Sequence, residues 1–199
     1  MKITRADVAA LFLPGNVVAV QYVKKDVSAD IIGEAEGNRE GATHALCCQG
    51  GLDIVEATAL GVFETSLHNY LRGNCILTVR EAIPAPSPSD AALATDFWDK
   101  RVLDPYDWPM IFGTLPIVVV RYTVGLFSRG LANSIIHKMP NILASSTLST
   151  CAELAVRGLR QFYPGALASF SFGDIEPEDL RIDPSLNTKS VLIAPVLEG

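Results

Sequence analysis

Two short runs rich in β-forming residues, His44 to Cys48 and Leu52 to Ala57, flank Gln49-Gly50-Gly51, and no other feature restricts the fold of this chain as strongly. Glycine supplies the positive φ that a tight reversal needs, and runs this short between turn residues read as strands rather than helices. The segment predicts an antiparallel hairpin with a three-residue loop closed by Cys48 and Leu52. In that register Leu46 faces Ile54 and His44 faces Glu56, with opposed Cβ atoms roughly 4.5 to 5.5 Å apart. One face of the hairpin then carries His44, Leu46, Cys48, Leu52, Ile54 and Glu56. It is apolar except at its far end, where an imidazole meets a carboxylate.

Around this hairpin the pattern extends to an α+β fold. Asn16 to Val23 follows a Pro-Gly turn as a further β-rich run, and Cys75 to Arg80 is another. Phe63 to Leu71 reads as a short helix closed by Arg72-Gly73. Pro84, Pro86 and Pro88, between Ala82 and Asp90, form a seam between a strand-rich first half and a helix-rich second half. Ser87-Pro88-Ser89-Asp90 predicts a capped helix to about Val102. Thr150-Cys151-Ala152-Glu153 predicts a second one, in which Thr150 caps, Glu153 reaches back, and Leu154, Ala155, Leu159 and Phe162 supply the apolar face. Pro164-Gly165 ends it. A turn-rich stretch from Pro177 to Asn187 and a last strand from Val191 to Val196 complete a single domain over residues 1–199.

Composition sets the class. The 199 residues are 49% hydrophobic and 19% charged, enough apolar content for a core without metal or disulfide staples. With 16 basic and 22 acidic side chains the net charge is −6, and the scattered Lys and Arg form no stripe that would bind nucleic acid. The apolar stretch from Pro109 to Phe127 is interrupted by Arg121, Gly113, Gly125 and Pro116, so it is not a membrane span, and no export signal is recognisable at the start of the sequence. Four irregularly spaced cysteines fit a reduced, cytoplasmic protein better than a disulfide framework.

The chemistry-bearing residues are few. A carboxylate beside an imidazole is the base-and-orienter half of a nucleophilic triad. A cysteine in the first turn of a helix is a nucleophile in an activating place, because helix N-termini lower thiol pKa values from about 8.5 to about 3.5–7.5. Cys151, His44 and Glu56 are therefore the candidate nucleophile, base and orienter. His68 and His137 read as solvated side chains. A zinc site from His44, Cys47, Cys48 and Cys75 matches no established spacing, and adjacent Cys47 and Cys48 point to opposite faces of a strand. No phosphate loop or metalloprotease helix motif is present, and neither cofactor nor metal is expected.

At these residues the chain resembles the circularly permuted papain-like cysteine hydrolases of the NlpC-like superfamily, the YiiX-like proteins in particular. The matching stretches are Pro14-Gly15-Asn16-Val17-Val18, Thr43-His44-Ala45, Ile54-Val55-Glu56-Ala57 with Gly61-Val62, Pro105-Tyr106-Asp107-Trp108, Cys151-Ala152-Glu153-Leu154 and Ile175 to Leu180. The order His, Glu, Cys is the permuted one. Relatives usually carry Ser at the position of Ala152 and Asp at that of Asn16. The resemblance implies a permuted papain-like fold in which an antiparallel sheet packs on the Cys151 helix. It implies Cys151 as thiolate nucleophile, His44 as general base and Glu56 as third member, and it suggests Tyr106 as an oxyanion donor beside the Cys151 N–H.

The expected activity is that of a cysteine peptidase or amidase acting on an amide or isopeptide bond of a small peptide-like substrate. A cell-wall-derived fragment met inside the cell is the natural example. Two alternatives stand beside it. One is acyl transfer or lipid-ester hydrolysis of the lecithin:retinol acyltransferase type, with the apolar Met110 to Phe127 stretch lining an acyl site. The other is a catalytically silent scaffold that binds a peptide. The segment from Met110 to Thr147 would shape or cover the cleft, and its apolar character is a reason to test for a homo-oligomer.

Overall fold

The computed structural model describes residues 5–23, 41–58, 60–107, 150–171 and 175–194. Its centre is a six-stranded antiparallel sheet made of β1 (Val17–Tyr22), β2 (His44–Gly50), β3 (Asp53–Thr58), β4 (Gly61–Ser66), β5 (Cys75–Ala82) and β6 (Leu186–Ile193), in the order β4-β3-β2-β1-β5-β6. Five helices accompany it among the described residues: α1 (Arg5–Ala9), α2 (His68–Arg72), α3 (Pro88–Asp99), α4 (Cys151–Leu159) and α5 (Pro177–Ile182). The chain is α+β, as its sequence pattern implies.

Both faces of the central strands are covered. Val17, Ala19, Ala45, Cys47, Val55 and Ala57 face α3, α4 and α5, in one core with Trp98, Leu154, Leu159 and Leu180. Val18, Val20, Leu46, Cys48, Ile54, Leu77 and Val79 face α1 and α2, in a second core with Val8, Phe12, Leu67 and Leu71. A strand covered on one side alternates apolar and polar residues, whereas one buried on both sides is continuously apolar. Val17-Val18-Ala19-Val20 is such a run, with all four residues buried.

The helix that begins at Cys151 is seated by three devices. Its capping box is closed: Thr150 Oγ1 accepts from the Glu153 N–H, and Glu153 Oε2 accepts from the Thr150 N–H at 3.0 Å. Trp98 of α3 donates its Nε1–H to the Leu154 carbonyl at 3.0 Å. Gly158 allows that approach, because a Cβ there would lie 2.0 Å from Trp98 Nε1. At the other end of the core, Glu178 of α5 accepts from the Ala42 N–H at 2.8 Å and so ties down the chain two residues before His44.

Four expectations are corrected. The β2–β3 hairpin is tighter than a three-residue loop: Gly50 pairs with Asp53, Cys48 with Ile54 and Cys47 with Val55, with an irregularity between Cys48 and Gly50. Gly50 and Gly51 both take positive φ, +120° and +64°, which lets the chain turn around Gly51-Leu52 and leaves Gln49 as the extra residue. Phe63 to Ser66 is strand, paired with β3, and only His68–Arg72 is helical. Pro177–Ile182 is a helix, not turns, with Pro177 at its first position and an Asp179 side chain bonded back to the Glu176 N–H at 2.9 Å. The last strand begins at Leu186, because its pairing with β5 supplies partners to residues whose own pattern is mixed. His137, Trp108 and the whole Met110 to Thr147 segment lie outside the described residues.

Candidate active site

The altered hairpin register is two residues from the expected one, and that spacing preserves faces, since side chains alternate with a period of two. His44 and Glu56 consequently remain on one side of the sheet although they are not directly opposed. The distance is closed by side-chain length: His44 Nε2 and Glu56 Oε2 are 2.7 Å apart. The described β2–β3 ladder ends at Cys47 and Val55. Beyond it, His44 to Leu46 pair outward with β1, and Glu56 to Thr58 pair outward with β4.

Among the described residues Glu56 has three donors. Its Oε2 accepts from His44 and from the Tyr70 hydroxyl at 2.5 Å, and its Oε1 accepts from Thr65 Oγ1 at 2.7 Å. Burial alone would raise the pKa of this carboxylate, but the hydrogen bond and charge of His44, followed by the two hydroxyl donors, hold it below its ordinary value. Glu56 is therefore an ionised acceptor at neutral pH. Its partner ring is stacked on Tyr70, with centroids 6.2 Å apart and planes 19° from parallel.

The third candidate joins the same group. His44 is coupled electrostatically to Cys151 as well as hydrogen bonded to Glu56, which occupies its Nε2. Burial would lower the imidazole pKa. The negative charge of Cys151 when ionised, and then the bond and charge of Glu56, outweigh it and raise the pKa well above 6.5. Cys151, His44 and Glu56, assigned from different parts of the sequence, thus form one group, in which His44 and Glu56 are hydrogen bonded and Cys151 is electrostatically coupled to His44. Tyr106 packs half-buried against the core that contains Cys151, and its neighbour Asp107 is fully buried.

The remaining cysteines are held differently. Cys47 and Cys48 sit on opposite faces of β2, so they do not share a coordination sphere. Burial pushes the Cys47 thiol well above its ordinary value, Cys48 up to about 12 and Cys75 up to about 11. Among the described residues no group of three or more His, Cys, Asp or Glu is placed to hold a metal ion, and no helix is long and apolar enough to cross a membrane. His68 is half-buried at the first position of α2 rather than solvated.

Thr65 and Tyr70 were not foreseen. Reading Phe63 to Leu71 as one helix hid Thr65, which as a strand residue stands opposite Ile54 and diagonal to Glu56. For Tyr70 the sequence holds no comparable signal, because it reaches Glu56 from a separate element. Comparison with protein-family models, with curated proteins and with solved structures finds no match to this chain.

Proposed function

We propose that this chain is a thiol-dependent hydrolase of the permuted papain-like kind, cleaving an amide or isopeptide bond of a small peptide-like substrate. One observation carries the reading: the His44 imidazole is hydrogen bonded at Nε2 by an ionised, buried carboxylate and is coupled to Cys151, a thiol in the first turn of a helix. A ring so held takes the thiol proton and keeps it as a stabilised imidazolium.

In the reaction the Cys151 thiolate forms a bond to the substrate carbonyl carbon, and the carbonyl electron pair moves to oxygen. The backbone N–H of Cys151, in the first turn where N–H groups have no carbonyl partner within the helix, supports that oxyanion, with Tyr106 as second donor. Collapse expels the amine, which takes the proton from His44. Water then gives a proton to His44, attacks the thioester and releases the acid and Cys151. Glu56 accepts from Nε2 throughout and stays ionised.

The test is alkylation by iodoacetamide across pH, with intact mass and peptide mapping to score the four cysteines separately, followed by an amide and isopeptide substrate panel. Cys151 is expected to react far faster than Cys47, Cys48 and Cys75, whose burial keeps them protonated. The selectivity is expected to vanish in His44→Ala, and hydrolysis in Cys151→Ala. A Cys151 that reacts no faster than in His44→Ala, or a Cys151→Ala protein with full hydrolytic activity, overturns the reading.

A further inference from the structure

On the thiol-hydrolase reading above, we propose that Tyr70 is a positioning residue of the triad, fixing the Glu56 carboxylate through its hydroxyl and the plane of His44 through its ring.

A triad carboxylate must do two things: remain where its oxygen meets the imidazole N–H, and keep the ring turned so that the other nitrogen faces the nucleophile. Glu56 ends in a torsion with a broad energy profile, so its own backbone position does not orient the carboxylate plane. Two hydroxyls do. Thr65 holds Oε1 from the neighbouring strand β4, and Tyr70 holds Oε2, the same atom that His44 contacts, from α2. With both oxygens tied to different elements, rotation of the carboxylate would break at least one charge-assisted hydrogen bond.

Tyr70 has a second contact that Thr65 lacks. Its ring lies nearly parallel to the His44 imidazole, so tilting of His44 about its last torsion meets an aromatic face. Tyr70 is also coupled electrostatically to Tyr22 at the end of β1. Burial and then the charge of Glu56 push the Tyr70 pKa upward, which keeps its hydroxyl a donor over the whole working range. The hydrogen bonds Tyr70 to Glu56 to His44 thus link α2 through β3 to β2, with Cys151 of α4 coupled to the last of them.

The hydroxyl and the ring are separable by substitution. Glu56 faces His44 and Cys47 on β2, Thr65 on β4 and Tyr70 on α2, and of these Tyr70→Phe removes one neutral donor without changing any charge. Glu56 then takes up a proton at higher pH, because a donor that favoured its charged form is gone. The experiment measures the second-order rate of Cys151 alkylation from acid to alkaline pH in the full chain, together with the thermal midpoint.

Tyr70→Phe is expected to slow Cys151 about three- to tenfold at neutral pH and to move the acid-side fall of the profile to higher pH, with Tyr70→Leu slower again. A ring-fluorinated tyrosine at position 70, which keeps the shape and strengthens the donor, is expected to move the acid side the other way. It decides the matter if Tyr70→Phe does not fold. If Tyr70→Phe folds and leaves rate and profile unchanged, or if substitution lowers only the thermal midpoint, Tyr70 is structural and the inference is overturned. That result is distinct from failure of the triad itself, which is read in the wild-type chain against His44→Ala and would remove the inference with it.

Discussion

Two buried glutamates show how differently one side chain behaves in two regions of this molecule. Glu56 on the sheet and Glu153 at the start of α4 are both nearly excluded from solvent. Burial raises the pKa of each. At Glu56 the His44 bond and charge and two hydroxyls reverse that effect, and the carboxylate is held below 4.5. At Glu153 the Thr150 N–H and the charge of Arg157 only partly offset burial, nearby Asp107 adds to it, and the pKa is pushed up to about 7. The difference lies in the donors and cations supplied by other elements. The sheet carboxylate is built to be charged beside an imidazole, and the helix carboxylate is built to close a cap.

The largest expected effect comes from removing the better-supplied member. Glu56→Ala leaves an imidazolium and two hydroxyls without their acceptor, and should lower stability at pH 7 by about 3 kcal/mol in urea unfolding. It should also reduce Cys151 alkylation to the level of His44→Ala. A variant as stable and as reactive as wild type would break the comparison at its stronger end.

The two carboxylates should also drive stability in opposite directions with pH. The Glu56 pKa is lower in the folded chain than in the unfolded one, so its contribution is present above pH 4.5 and is lost as pH falls through the folded value. The Glu153 pKa is raised, so the folded chain binds the extra proton. Its contribution is present below pH 4.5 and is lost as pH rises through about 7. Glu153→Gln keeps an acceptor for the Thr150 N–H without a charge to bury, and should raise the thermal midpoint at pH 8 by about 4 °C while flattening the slope between pH 4.5 and 7. An unchanged slope would show that Glu153 ionises without penalty.

The smallest effect sharpens the accounting of donors. Thr65→Val removes a donor to Glu56 Oε1 and should cost about 1 kcal/mol, with the acid loss of stability beginning at higher pH. A neutral result would assign the low pKa of Glu56 to His44 and Tyr70 alone.

Much of this site was legible in the chain. Thr150 and Glu153 announce a capping box within four residues, and the box places Cys151 in the first turn whatever surrounds it. The Gly50-Gly51 pair announces a hairpin. What the pair does not encode is whether the bend takes two residues or three, because both forms place glycine at positive φ; the choice follows from pairing with β1 and β4 on either side. The helix expected over Phe63 to Leu71 failed for a related reason. Phe63 to Ser66 gain strand partners only once β3 lies alongside, and that pairing outweighs local preference.

Local sequence pattern is enough to specify an α+β chain, the hairpin that carries His44 and Glu56 on one face, and the capped helix that begins at Cys151. These depend on spacings of a few residues, where φ preference, side-chain alternation and capping act without help from the rest of the chain. Long-range packing is what brings Cys151 to His44 across more than 100 positions of sequence, lets Thr65 and Tyr70 hold the carboxylate, and shifts Glu56 and Glu153 in opposite directions. Those outcomes depend on which donors and charges come within hydrogen-bonding reach after burial has removed water, and packing alone sets that distance.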